Sequence, residues 1–379
     1  MSKNLLQQYF PMIRSRHEIM NVIRDTPTLL ATFQNWDSDQ QQEFLDFCSG
    51  ERGLKILYDT FFKEILNPEY APQRLEFLLS TILKQTVKIL QVLPGDATRL
   101  ADETSLLVTD IVVELADHSI ANVEIQKIGY HFPGQRSACY SADLLLRQYK
   151  RLRDTRKKKF NYKDVQNVYT IIFFENSTRE FHNFPDTYLH YFTQKSDTGL
   201  ELDLLQKYYF IPLDIFRENI HNKNIPTNLD AWLVFLTTDE PAMILKLIET
   251  FPAFKEMYQD IYELCRNIEG VMTMFSKELQ ELDRNTVQYM IDEMQNEINE
   301  QKRKLSESEK RLNESEKRFN ESEKQLIDTT EKLNQNKHYM HLTNTLYAYL
   351  MHDSRQEDLA RALTDDTFRE QLLREYQLV

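Results

Sequence analysis

Glycine is scarce, with 7 in 379 residues, where ordinary usage of roughly 7% would give about 27. That shortage excludes collagen-like and glycine-rich repeat architectures and counts against a dinucleotide-binding glycine loop. Cys48, Cys139 and Cys265 are too few and too widely spaced for a disulfide framework or a Cys-x-x-Cys zinc pair. They are expected to be buried, reduced thiols. No run of about 18 apolar residues occurs, so no segment is expected to span a membrane. Met1 to Gln8 lacks the apolar stretch of a signal peptide. Together these absences predict a soluble, cytoplasmic chain. Gly-x-Gly-x-x-Gly, P-loop, Gly-x-Ser-x-Gly and His-Glu-x-x-His patterns are also missing. His17-Glu18 has no second histidine, and the nine histidines do not cluster at ligand spacing. Basic charge is in deficit too: 46 Lys and Arg face 59 Asp and Glu, a net −13. At first sight that opposes a nucleic-acid partner.

What the chain does have is core-forming material, 41% hydrophobic and 11% aromatic. The length suggests two or three structural units. Residues 1–53 read as a helical segment without a chemical motif. Helices are expected through 54–93, with a break at Pro68 and Pro72, and Leu75, Leu78, Leu79, Ile82 and Leu83 on one face. From Leu106 to Leu115 the sequence turns β-branched and apolar. Ala116 to Ser119 reads as a turn, and Ile120 to Ile128 alternates as a returning strand. A helix is expected over 135–153. Further strands are expected at Val168–Phe174, Tyr208–Leu213 and Trp232–Leu236, with helices from Pro241 to about Ser276. The pattern predicts an α/β domain over 54–283, with a mixed sheet of about five strands flanked by helices.

A long helix is expected over 284–339. Ile291, Ile298, Leu305, Leu312, Phe319, Leu326 and Leu333 recur every seven residues, through three near-identical Glu-Ser-Glu-Lys heptads. This is a coiled-coil spacing. Its second core position degrades from Val287 and Met294 to Gln301, Ser308, Ser315, Ser322 and Thr329. Glu307 with Arg311 and Glu314 with Arg318 are spaced for i,i+4 pairs. A weak homo-oligomeric coiled coil and a solvated single helix therefore both remain open. Residues 340–379 read as a helical cap.

The chemistry-bearing constellation lies on the expected hairpin. Glu124 and Gln126 share a strand face, and a pairing in register lets Asp110 converge on it. Two carboxylates and a carbonyl are hard oxygen donors that suit Mg²⁺ rather than zinc. Acidic residues on strands are common, however, and this spacing alone is a weak signal. Between Arg136 and Lys163 lie ten basic residues against Asp143 and Asp154, a net +8, which leaves −21 for the rest. Arg136, Arg147, Lys150, Arg151, Arg153, Lys157, Lys158 and Lys159 are the candidates for DNA phosphates. The competing reading is a solvated charged helix and loop.

Thr109-Asp110-Ile111 with Val123-Glu124-Ile125-Gln126 resembles the core motif of the PD-(D/E)XK nuclease superfamily. The likeness is greatest to its branch of transposases and recombination-promoting nucleases, where Glu-x-Gln commonly replaces Glu-x-Lys. Phe61-Phe62-Lys63, Arg136 with Tyr140-Ser141, Tyr209 to Leu213, and Leu229 to Leu236 resemble further family segments in order, over about 55–280. The resemblance implies a restriction-endonuclease-like core that cleaves DNA phosphodiesters with Mg²⁺, or Mn²⁺. It implies Asp110 and Glu124 as metal ligands, with the Ile125 carbonyl as a third. Gln126 takes the position of the superfamily lysine; it can orient water but supplies no positive charge. Lys127 alternates to the other strand face and is no substitute. Glu76 is a further candidate acid, and Arg136 a phosphate contact. The expected function is a metal-dependent DNA endonuclease of recombination or transposition. The alternative is a catalytically silent DNA-binding or interaction protein that keeps the fold and oligomerises through 284–339.

Overall fold

The computed structural model describes residues 3–93, 111–127, 134–220 and 225–379, the side chains of 284–293, 296 and 297 excepted. The chain forms two compact units, Met1–Arg284 and Asn285–Val379.

In the first unit, four short helices lead: α1 (Leu5–Tyr9), α2 (Arg16–Asp25), α3 (Pro27–Asn35) and α4 (Ser38–Ser49). Asn4, Ser15 and Asp37 each close a reciprocal capping box, which fixes three of the starts. Gly50 stops α4 at φ +71, where a Cβ would also meet Ile13 at 3.0 Å. Helices α5 (Asp59–Ile65) and α6 (Pro72–Leu83) follow, then β1 (Ile89–Leu93). A continuous helix from Gln73 to Leu93 was the expectation. Instead Lys84 adopts a left-handed φ of +55 and the chain turns into the sheet.

The β2 (Ile111–Leu115) and β3 (Ile120–Gln126) hairpin is the expected one. Helix α7 (Gly134–Arg156) crosses over to β4 (Val168–Phe174), and β5 (His190–Phe192) and β6 (Gln206–Pro212) complete the strands. Among the described residues the sheet has six strands in the order β1-β2-β3-β4-β6-β5. It is parallel at β3/β4 and β4/β6 and antiparallel elsewhere. Beyond the expected set are β1 and β5; β5 is three residues long, too short to show a period.

Helices α8 (Leu213–Ile220), α9 (Asn228–Thr237), α10 (Pro241–Thr250), α11 (Ala253–Leu264) and α12 (Ile268–His352) follow. The strand expected at Trp232–Leu236 is a correction: the segment is the core of α9, buried on every side. A continuous apolar run does not distinguish a buried strand from a buried helix. Thr227 and Asp230 decide the matter locally, through a capping box that starts the helix.

One hydrophobic core joins α1–α6, one sheet face (Ile111, Val113, Val123, Ile125, Ile171, Phe173) and α8–α11 with the start of α12. On the other face, Leu144 of α7 packs with Val112, Ile120 and Val168, and Tyr140 with Ile172 and Phe174. The sheet is thus sandwiched between helical layers, and β4 is buried along its whole length. Cys48 and Cys265 are buried thiols, but Cys139 is exposed because it falls on the solvent side of α7. Among the described residues no helix is long and apolar enough to cross a membrane.

In the second unit, the end of α12 packs with α13 (Gln356–Thr364) and α14 (Asp366–Glu375) around Leu346, Leu350, Ala362, Leu372 and Leu373. Arg355 ties this cap together through Asp358 and Glu375. Upstream, the heptad residues Ile298, Leu305, Leu312, Phe319, Leu326 and Leu333 are 45–69% exposed. Of the expected pairs, Glu307 meets Arg303 rather than Arg311, and Glu314 has no ion pair among the described residues.

Candidate active site

Strand alternation sends Asn122, Glu124 and Gln126 to the α7 face and Ile125 to the main core. Glu124 is 2% exposed, and the Asn122 amide donates to its Oε1 at 2.7 Å. Gln126, at the strand end, is half-buried, and its side chain has no hydrogen bond among the described residues. Asp110 lies outside the described residues.

The α7 side of the sheet carries further buried polar side chains. Asn122 Oδ1, Thr170 Oγ1 and Ser137 Oγ are buried without a hydrogen-bond partner among the described residues. Asn122 and Thr170 are direct neighbours across β3/β4. Ser141, fully buried on α7, accepts from Gln206 Nε2 at 3.1 Å. Buried oxygens of this kind ordinarily have a water or an ion as partner. The donor set (carboxylate, amide and hydroxyl oxygen) is hard and fits Mg²⁺ or Mn²⁺. Among the described residues, no three His, Cys, Asp or Glu side chains converge on a point. Sequence reasoning passed over Asn122, Thr170 and Ser137; the period-two alternation with Glu124 was the available signal for Asn122.

The direction of α7 sorts the basic residues. Its early Tyr140 packs on Ile172 and Phe174 of β4, the register partners of Glu124 and Gln126. Its late Gln148 donates to the His118 carbonyl at 3.1 Å and accepts from the Gln166 N–H at 2.8 Å, at the opposite end. Arg136 therefore stands at the Glu124 end, its guanidinium donating to the Tyr140 hydroxyl at 2.6 and 2.9 Å. Lys157 is about 30 Å further along at 1.5 Å per residue. The basic run, compact in sequence, is thus drawn out along a helix.

Several of the candidate cations are engaged by the protein itself. Arg147 pairs with Asp143 at 2.5 Å. Arg151 reaches the buried Glu114 at 3.0 Å, where His118 Nδ1 at 2.9 Å and Gln91 also bind. Arg153 donates to the Tyr149 hydroxyl at 3.1 Å. Lys150, Lys157, Lys158 and Lys159 are exposed and have no ion pair among the described residues. Glu76 accepts from the Ile89 N–H at 2.9 Å and pairs with Lys88 at 2.7 Å. Ile89 is opposite Leu115, the end of β2 remote from Ile111, so Glu76 anchors the start of β1.

Lys127 faces away from Gln126, as expected. It forms a buried ion pair with Glu278 of α12, and its ammonium lies 5.2 Å from the Tyr58 ring centroid. Burial pushes its pKa down, against the pull of Glu175, Glu281 and Asp59.

A mixed sheet with Glu124-x-Gln126 on a central strand, backed by a crossover helix, is the architecture of a restriction-endonuclease-like fold. Residues 56–293 match the family described as PD-(D/E)XK nuclease family transposase, and the chain belongs to that family. Its function is therefore nuclease- or transposase-related. No curated protein and no solved structure gave a significant match.

Proposed function

We propose that the chain is a metal-dependent DNA endonuclease acting in recombination or transposition. The observation that carries this reading is the buried Glu124 carboxylate beside oxygens of Asn122 and Thr170 that have no hydrogen-bond partner among the described residues, on a strand of a PD-(D/E)XK family fold. Glu124 and Asp110, with the Ile125 carbonyl, are the residues to hold Mg²⁺ or Mn²⁺. A bound divalent ion there lowers the pKa of its water and stabilises charge on a phosphoryl oxygen. Gln126 is neutral at every working pH, so its part is to orient a water by hydrogen bonding. Arg136, at the same end, holds a DNA phosphate. Glu76 is left out of this set because Lys88 and the Ile89 N–H occupy it.

The test is plasmid nicking with Mg²⁺. Asp110→Ala and Glu124→Ala should each lower the rate on the order of 1000-fold, about 4 kcal/mol of barrier. If both cut like the wild type, the site is wrong. Gln126, in the place of a lysine, favours a second reading: a silent DNA-binding protein with the same fold. Calorimetric titration with Mn²⁺ separates the two, since the silent protein shows no heat that depends on Asp110 and Glu124. The exposed heptad stripe from Ile298 to Leu333 supports self-association through 284–339. Sedimentation of the chain ending at residue 283 checks this, because an unchanged oligomeric state dismisses that helix as the joint. We place this activity in the cytoplasm.

A further inference from the structure

The far end of α7 carries more than charge. After Arg156 the chain makes a 3-10 turn through Lys157–Lys159 and a second through Tyr162–Asp164. Between them Phe160 and Tyr162 fold back on Tyr149 of α7. The Tyr149 and Tyr162 rings are nearly parallel, 8° apart with centroids at 6.0 Å. Phe160 meets both edge-on, at 5.5 and 5.3 Å. Packing the loop onto the helix accounts for Tyr149 and Phe160, which are half-buried. It does not account for Tyr162, which remains 74% exposed at the outside of the trio. A capping box between Asn161 and Asp164 holds its backbone. The ring is thus fixed in place before any ligand arrives.

The same two turns carry Lys157, Lys158, Lys159 and Lys163, all exposed and without an ion pair among the described residues. Arg153 sits over Tyr149, 5.9 Å from its ring centroid. Lys157 holds this place at φ +48, a backbone region that favours glycine or asparagine. Exposed cations beside an open aromatic face are the two parts of a single-strand binding surface: the cations track the backbone, and an unstacked base lies on the ring. A paired base is already stacked on both faces and gains nothing from Tyr162.

We infer that the Lys157–Lys163 turn, with Tyr162 as its platform, binds single-stranded DNA at a site separate from the Glu124 end of the sheet. That the nucleic acid is DNA rests on the proposed endonuclease reading. Along α7 the two sites lie about 20 Å apart, from Arg136 to Tyr149, on which Tyr162 packs. A substrate that occupies both therefore carries its unpaired segment roughly six base pairs from the cut, at 3.4 Å per pair.

The test is fluorescence anisotropy of the full chain, without metal, with labelled 15-nucleotide DNA, its duplex, and RNA of the same sequence. The single-stranded DNA should bind at least fivefold more tightly than the duplex. Tyr162→Ala should weaken single-strand binding on the order of 10-fold and duplex binding less than twofold. Tyr162→Phe keeps the π face and should bind as the wild type does. Asp110→Ala, which removes the proposed metal site, should leave the single-strand affinity unchanged, so that failure to cut and failure to bind are read separately. Equal affinity for single strand and duplex, indifference to Tyr162→Ala, or tighter binding of the RNA each overturns the inference.

Discussion

The two ends of α7 do opposite things with polar residues. At the Tyr140 end, Asn122, Glu124, Ser137 and Thr170 are buried, with oxygens turned inward. At the Arg156 end, Lys157–Lys159 and Tyr162 stand in water. Bond-breaking on a phosphodiester needs fixed groups at low dielectric, where each interaction is worth more. Capture of a polyanion needs exposed charge that can exchange counterions. On the proposed reading, one crossover helix keeps the two requirements apart.

Glu114 sharpens the contrast. It is as buried as Glu124, but Arg151, His118 and Gln91 converge on it and pin α7 to the β2–β3 turn. A buried carboxylate on this sheet face is therefore not sufficient to mark a site. Position along α7, and neighbouring oxygens without a partner among the described residues, support Glu124 as the proposed site.

The largest expected effect concerns how β3 is held from behind. Glu278→Ala leaves the Lys127 ammonium buried without its partner and should cost about 3–5 kcal/mol of stability, read by urea denaturation. Lys127→Met combined with Glu278→Leu should recover most of that loss. If the single substitution is neutral, the ion pair does not anchor the strand.

At the other end, replacing Lys157, Lys158 and Lys159 together by Ala should flatten the log–log salt dependence of single-strand binding by about two, at roughly 0.7 per phosphate contact. A slope that does not change would remove these lysines from the interface.

Arg151→Ala should lower stability by about 1–2 kcal/mol. That is less than a fully buried pair would lose, because Arg151 is itself partly exposed. A loss of DNA affinity larger than the loss of stability would return Arg151 to the binding surface. The smallest effect is Lys157→Gly. It should raise stability by about 1 kcal/mol by relieving the positive φ, while weakening oligonucleotide binding. Thermal unfolding and anisotropy on one preparation read both signs.

Much of this fold was legible in the chain. The alternation of Ile120 to Gln126 placed β3, its faces and the diversion of Lys127. The apolar run at 168–174 read correctly as a strand, while the similar run at 232–236 did not, because Thr227 and Asp230 turn that one into a helix. The end of α6 depended on Lys84 entering a left-handed conformation, which no composition rule assigns to lysine. For the proposed site, the shared strand face of Glu124 and Gln126 was visible from spacing. The separation of the basic residues was not, because charge was counted along the sequence and a helix of 23 residues converts that count into distance. The heptads from Ile298 to Leu333 were equally plain, but periodicity names an apolar stripe and not its partner.

The most direct measurement takes Glu124→Gln, close in volume and without the charge, and follows nicking and single-strand binding on one preparation. The account predicts plasmid nicking with Mg²⁺ reduced on the order of 1000-fold and an oligonucleotide affinity equal to that of the wild type. Nicking at the wild-type rate would contradict it, and so would loss of binding in step with loss of cutting.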